Sequence, residues 1–492
     1  MLHSFWYEEA ARQFEAVGEQ DPNCAIAWWG VAMTNWHPLW EPRGPGEPAM
    51  KAGTAAIQKA RTIAAQNAKV TPREKQFIHA LNAFYDEADK RDHVDRVLDY
   101  EKQMEALHAA NPDDVESTIF YSLALLGSAT TLPPDKTHTR QKKAGALAEP
   151  IFKNYPAHPG AAHMVIHSYD YPELAPMALE AARSYAKIAP ESAHALHMPS
   201  HIFTRLGLWQ ESIASNLDSE AAARKHHQVS DEFHAMDYLV FAYLQTGQDA
   251  KAYEAFKGRG LTDGIDVAKF QGVFSAATMP ARYVLERRQW TEAAALADPS
   301  GFPGGRYAWA DASIYYARAL GAARTGKLEQ AQRDIEKLAS AYKTLKDLKE
   351  DYWAGQVEIQ QTAATAWLAF AQGKKDEAVA LMRKTVQLDD AADKHPVTPG
   401  AIVPARDLLG QMLIEMNRPA EALTEYEKLL AKEPNRFAAL YGVGRSAELA
   451  GQPEKARDAY ARLLEIAPGN ERPELRLAKK FVKEQSKVAS KT

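Results

Sequence analysis

The chain holds a single cysteine, Cys24, in 492 residues. That excludes an internal disulfide and a thiolate metal cluster, and it leaves the redox compartment open. Long apolar runs are missing as well. Stretches such as "AIAWWGVAM" fall far short of the roughly 20 residues that a membrane-spanning helix needs, so no membrane span is expected. Neither sign of charge prevails: 59 basic and 64 acidic residues are scattered along the chain, for a formal net charge of −5. Without a basic stripe, neither nucleic acid nor an anionic membrane surface is an expected partner. The chain also lacks a P-loop, a dinucleotide fingerprint, a His-Glu-x-x-His helix and a Ser-His-Asp order, which removes the commonest catalytic signatures. It opens on "HSFWYEEAARQFEAVGEQDP", an amphipathic helix with no signal-peptide features before it. That helix reads as the back half of a hairpin. We therefore expect a periplasmic or secreted protein if a leader was removed, and a cytoplasmic one otherwise.

What is present is helix. Strand-like alternation is almost absent, and the 46% hydrophobic content falls into apolar-small-apolar segments closed by Gly or Asn. "RLGLWQESI", "QTGQDAKAY", "RTGKLEQAQ", "AQGKKDEAV", "EMNRPAEAL" and "LAGQPEKAR" each read as a tight turn entering a second helix. They recur at periods of about 34 to 47 residues, the range of a solenoid. Gly207, Gly247, Gly326, Gly373 and Gly451 stand in these turns, where a positive φ suits glycine. Breaks fall at "WEPRGPGEP", "TTLPPDKTHTR", "DPSGFPGGRYAWAD" and "DKHPVTPGAIVPARD", loops long enough to act as lids.

These turn and helix motifs resemble the tetratricopeptide repeat family. The chain is similar in particular to bacterial tetratricopeptide proteins that share "DPNCAIAWWG", "HMPSHIF", "HAMDYL" and "KHPVTPG". The resemblance implies an all-α, right-handed solenoid of about eight or nine helical hairpins over 1–492, and such proteins often carry an export leader. Within it we expect N-terminal repeats with loop insertions over 1–150, histidine-rich repeats over 151–260, C-terminal repeats over 261–480 and a tail over 481–492. It also implies that the first helix of each hairpin lines a concave groove.

The histidines keep the repeat register. His163 and His167 are four apart and so share a helix face, as do His197 and His201. A step of 34 residues carries the first pair onto the second. From the Gly207 turn to the Gly247 turn the step is 40 residues, which carries His194 and His197 onto His234 and Asp237. In a groove these seven side chains would converge, since adjacent helices pack about 8–10 Å apart. Imidazole and carboxylate without sulfur is a ligand set for zinc or copper, or for iron, nickel or manganese. Two other roles fit the same grid: a hydrogen-bonded histidine network holding the repeats, and a groove for an anionic ligand. Met164, Met198 and Met236 adjoin grid positions, but one residue turns a helix by about 100°, which suits them to packing. Pro199 sits inside "HALHMPSHIF", where an interior proline costs about 3 kcal/mol. A kink there lets His197 and His201 aim at one point; a kink required by packing is the alternative.

Two functions follow. One is a metal-dependent enzyme, hydrolytic or oxidative, in which His163, His167, His194, His197, His201, His234 and Asp237 hold one or two ions while Arg282 or Tyr238 stabilises developing charge. The other is a non-catalytic scaffold that takes a peptide or small organic ligand in the groove. For that ligand the register offers Trp29, Met33, His37, Arg282, Tyr316, Trp367, Asp407, Tyr441 and Arg445, with core packing the alternative for Trp29 and Trp367; His395 lies on a loop that reads as a rigid proline-rich connector or, alternatively, one that folds over the groove.

Overall fold

The structure is a computed structural model and describes residues 1–257, 264–267, 269–299, 302, 304–392, 394–469 and 471–489. Of the expected loop at 298–311, Ser300, Gly301 and Pro303 lie outside the described residues, as do Ser490–Thr492 of the expected tail. No strand occurs among the described residues, and the fold is all-α. The chain divides into two compact units, Met1–Ile202 and Phe203–Thr492.

In each unit successive helices pack on their neighbours, and alternate helices pack on one another as well. Ala25–Met33 packs on Pro72–Tyr85, and Val115–Thr131 on Pro159–Tyr169. In the second unit Val229–Gln245 packs on Phe270–Glu286, and Ala308–Arg324 on Asp351–Ala371. This nearest and next-nearest pattern is what stacked helical hairpins produce.

Local chemistry sets the helix boundaries. Thr71 accepts a hydrogen bond from the Glu74 amide at 3.2 Å while the Glu74 carboxylate accepts from the Thr71 amide at 2.8 Å, a reciprocal cap that starts Pro72–Tyr85. Ser192 accepts from the Ala195 amide at 3.3 Å and starts Ala193–His197. The five turn glycines all have φ between 65° and 80°, as the repeat register predicts. Arg288 (φ 54°) and Asn417 (φ 57°) hold the same left-handed conformation at equivalent turns.

The cores are filled by aromatic rings against small residues. In the first unit Trp36 stacks on Phe84 with centroids 3.7 Å apart. In the second, a β-carbon at Gly410 or Gly442 would come within 2.4 Å or 2.3 Å of the Tyr426 ring, so glycine at both positions lets helices close on that tyrosine. Several side chains expected to line a groove belong to these cores instead. Trp29, Met33, Tyr316, Trp367 and Asp407 are all buried: Trp29 lies edge-on to Phe77 and Phe120 of two other helices, at 5.4 Å and 5.2 Å, and Asp407 accepts from Arg288 at 3.1 Å.

The start of each unit meets its end. In the first, Ser4 accepts at its hydroxyl from Tyr185 Oη, 3.3 Å away, and Trp40 lies edge-on to His194 at 5.1 Å. In the second, Trp209 Nε1 donates to the Asn435 carbonyl at 2.8 Å, and the Phe437 amide donates to Gln245 Oε1 at 3.0 Å. The loop around Gly400 is not raised as a lid. Its Ala401 and Gly400 carbonyls accept from Arg282, at 2.9 Å and 3.3 Å, and His395 lies against the Phe270 ring at 4.7 Å.

Candidate metal centre

The helix Pro159–Tyr169 starts on a His158 cap and carries His163 and His167 one turn apart. Their ring centroids lie 4.6 Å apart. His194, on Ala193–His197, comes against them from the next hairpin. Each of the three offers one nitrogen within 4.8 Å of the others.

The protonation of His163 is fixed by its surroundings. Its Nδ1 lies 2.6 Å from the backbone carbonyl of His3. A carbonyl oxygen only accepts, so Nδ1 carries the proton. Burial pushes the His163 pKa down to about 3, against the pull of that hydrogen bond. The ring is therefore neutral, and the lone pair on Nε2 points at His194 Nε2, 3.2 Å away. Burial also lowers the His194 pKa, with the neighbouring imidazoles adding to the shift. Nitrogen–metal bonds of about 2.0–2.1 Å in a tetrahedral site place two ligand nitrogens about 3.3 Å apart, close to the spacing observed. The backbone carbonyl behind His163 is the kind of outer partner that orients a ligating imidazole.

The N-terminal segment packs over this trio. Phe5, in the left-handed region at φ 53°, has its ring 4.4 Å from His163, 5.7 Å from His167 and 5.5 Å from His194. Tyr185 also stacks on His163, at 5.1 Å.

His197 and His201 form a second close pair. Their Nε2 atoms are 3.0 Å apart with the rings at 85°, and His201 Nδ1 lies 3.0 Å from Asp170 Oδ2. The helix is interrupted between them. Ala193–His197 ends, Met198 caps it, and Pro199 begins Pro199–Leu206. Having no amide proton, Pro199 leaves the Ala195 carbonyl without its regular helical donor.

A third grouping, His3, Glu116 and His158, has the composition of a metal site but not the protonation. His158 Nδ1 accepts from the Ala161 amide at 3.2 Å, so its proton sits on Nε2, which faces Glu116 Oε1 at 3.4 Å. That ring has no lone pair to give an ion. His3 Nε2 meets Glu116 Oε2 at 2.8 Å. Burial alone would raise the Glu116 carboxyl, but hydrogen bonds from His158 and His3 hold it far below the usual carboxylate range. The trio is a clasp on the N-terminal segment.

The remaining sequence candidates lie in the second unit. His234 is buried on Val229–Gln245, edge-on to the buried Tyr238 at 5.4 Å. The Asp237 carboxylate faces Arg282, with Oδ1 3.5 Å from Nε, and both side chains are fully buried. Burial raises the Asp237 carboxyl to about 6 against the charge of Arg282. Arg282 in turn spends two donors on the Ala401 and Gly400 carbonyls and lies over the Phe241 ring at 5.0 Å. The repeat register brought these residues into the argument. Asp170, His3 and Phe5 escaped it, because they have no counterpart one repeat away; the only sequence signal for Asp170 is its place in "HSYD", one turn beyond His167.

Stacked helical hairpins with a histidine cluster inside the first unit define a helical-repeat protein with a candidate metal centre. Residues 408–471 match the family model of the tetratricopeptide repeat. Over that segment the chain is similar to the tetratricopeptide repeat, the resemblance its turn motifs carry. No curated protein matches it. Among solved structures, the Cut9–Hcn1 hetero-tetramer of the APC/C is similar at 13% identity and TM-score 0.33, over 94% of this chain and 76% of that one. A monomeric mutant of IFIT1 with m7Gppp-AAAA is similar at 13% identity and TM-score 0.39, over 90% of each. No helix among the described residues is long and apolar enough to cross a membrane.

Proposed function

We propose that this helical-repeat protein binds a transition metal ion in its first unit through His163, His167 and His194. The reading rests on one observation above the others: a neutral His163, its Nδ1 proton held by the His3 carbonyl, presents Nε2 to His194 Nε2 at 3.2 Å. Three imidazoles are the protein ligand set of many catalytic zinc sites and suit copper equally. Bound there, the ion would supply Lewis acidity toward water in a hydrolytic reaction, or a redox centre in an oxidative one. The chain's own part is to hold the imidazoles neutral and oriented and to exclude bulk water with Phe5, Trp40 and Tyr185.

The test is elemental analysis of protein purified without a histidine tag, before and after reconstitution with zinc and with copper. About one ion per chain or more is expected, with a loss of at least tenfold in affinity in His163→Ala and His194→Ala. Less than about a tenth of an ion after reconstitution ends the reading.

A peptide-binding scaffold is the second reading, and the family match at 408–471 favours it, since tetratricopeptide repeats commonly take peptides or proteins. Under that reading His163→Ala lowers the melting temperature without any ion to lose.

A further inference from the structure

We infer that the first unit holds a second, separate ion at His197 and His201, positioned by Asp170. The inference goes beyond the three-histidine centre and does not depend on that centre being filled.

Asp170 fixes the tautomer of His201. Its Nδ1 faces a carboxylate oxygen of Asp170 at 3.0 Å, so the proton belongs on Nδ1 and the Nε2 lone pair points the other way. It points at His197 Nε2, 3.0 Å distant. A carboxylate behind a ligating imidazole fixes the ring and raises its basicity, the usual outer partner of a metal-bound histidine. The spacing again suits two nitrogens on one ion with bonds of about 2.0–2.1 Å.

The backbone supplies a second, independent observation. Side chains four apart on a helix run one above the other, as His163 and His167 do with their rings at 43°. Here the rings stand at 85° with centroids 4.9 Å apart, each nitrogen turned toward the other, and the helix is broken between them at Met198–Pro199. Both side chains are buried, at 2% and 4% exposure.

The two sites then differ in kind. His163, His167 and His194 give three nitrogens under the Phe5 ring. Of the first unit's residues, His197 and His201 give two. Asp170 touches neither reacting atoms nor ion; it is a positioning residue.

The full chain, untagged and stripped with a chelator, is titrated with cobalt(II), whose visible absorption reports the geometry of each site. Two equivalents are expected. His197→Gln/His201→Gln keeps one of them with the spectrum of the first site, and His163→Gln/His194→Gln keeps the other. Asp170→Asn leaves the first equivalent unchanged and weakens the second by about 10–100-fold, with partial recovery in Asp170→Glu. Two equivalents surviving in His197→Gln/His201→Gln overturn the inference, as does a single equivalent indifferent to Asp170→Asn. One equivalent that is lost in His197→Gln/His201→Gln but kept in His163→Gln/His194→Gln supports this site and removes the first. No bound cobalt removes both. Should a double variant fail to fold, the wild type and Asp170→Asn titrations decide alone.

Discussion

The two units close on themselves with different chemistry. In the first, the residues that join start to end are imidazoles: His3 to Glu116, His163 to the His3 carbonyl, and His194 against Trp40 and Phe5. In the second, beside the Trp209 and Gln245 hydrogen bonds, they are guanidinium–carboxylate pairs. Arg436 is bonded to Glu286, Arg472 Nε donates to Asp249 at 2.9 Å, and Arg288 donates to Asp407 at 3.1 Å. The Phe241 ring lies beneath both Arg282 and Arg436, at 5.0 Å and 5.4 Å. A guanidinium has donors and no lone pair, so such a seam is complete once its carboxylates are met. A neutral imidazole always keeps a lone pair. The same architectural task, done with histidine, leaves lone pairs on the seam; done with arginine, the seam leaves none.

The sharpest way to break this contrast is to unseal the second unit. Arg436 and Glu286 are 1% and 2% exposed at their side chains, and burial already raises the Glu286 carboxyl against the charge of Arg436. Arg436→Met leaves that carboxylate buried without its partner and should cost about 3–5 kcal/mol in urea unfolding. Adding Glu286→Gln should return a large part of the loss. If the single variant matches the wild type, the arginine seam is decoration and the comparison fails.

The next effect belongs to the first unit. A site filled at a thousand times its dissociation constant stabilises by about 4 kcal/mol, so a chelator should lower amide protection over 160–200 and leave 275–290 and 436–449 unchanged. Hydrogen exchange with and without chelator measures both units in one sample. Equal change in both would mean that the ion, if bound, is not confined to the histidine unit.

A smaller effect is the pH dependence that His395 gives the second unit. His395 lies among Phe270, Trp353 and Tyr352, at 4.7, 5.4 and 5.5 Å. Burial, helped by the charge of Lys394, lowers its pKa to about 3. Between about pH 6.5 and 3 the unfolded chain takes a proton that the folded one refuses. Stability is therefore intact above about pH 6.5 and falls as the pH drops, by at most about 1.4 kcal/mol per unit. His395→Gln should flatten that slope in the second unit. An unchanged slope would assign the acid sensitivity to other groups.

The all-α repeat was legible because turn glycines, caps and apolar stripes act within a few residues of one another, and each recurs. His163, His167, His194, His197 and His201 were legible for the same reason, as repeat-register positions. What the register did not carry is contact across many residues. Asp170 reaches His201 over 31 positions and Arg282 reaches Gly400 over 118, and nothing local in the chain announces either. The expectation that Trp29, Tyr316 and Trp367 line a groove arose from the same limit. Register places a residue on a helix, but only the packed partner decides which face is buried.

The smallest expected effect on stability is also the one that tells aiming from packing at Pro199. In Pro199→Ala the missing amide returns and can bond the Ala195 carbonyl, so the two segments Ala193–His197 and Pro199–Leu206 can join into one helix. Stability should stay within about 1 kcal/mol of the wild type or rise. The rings of His197 and His201 would then lose the 85° arrangement that turns each Nε2 toward the other. Ion affinity at that pair should fall by about tenfold, with the three-histidine site unaffected. A break kept for packing predicts the reverse, a loss of stability with cobalt binding unchanged. Because the two accounts move different observables in opposite senses, melting temperature and cobalt titration on this one variant decide between them.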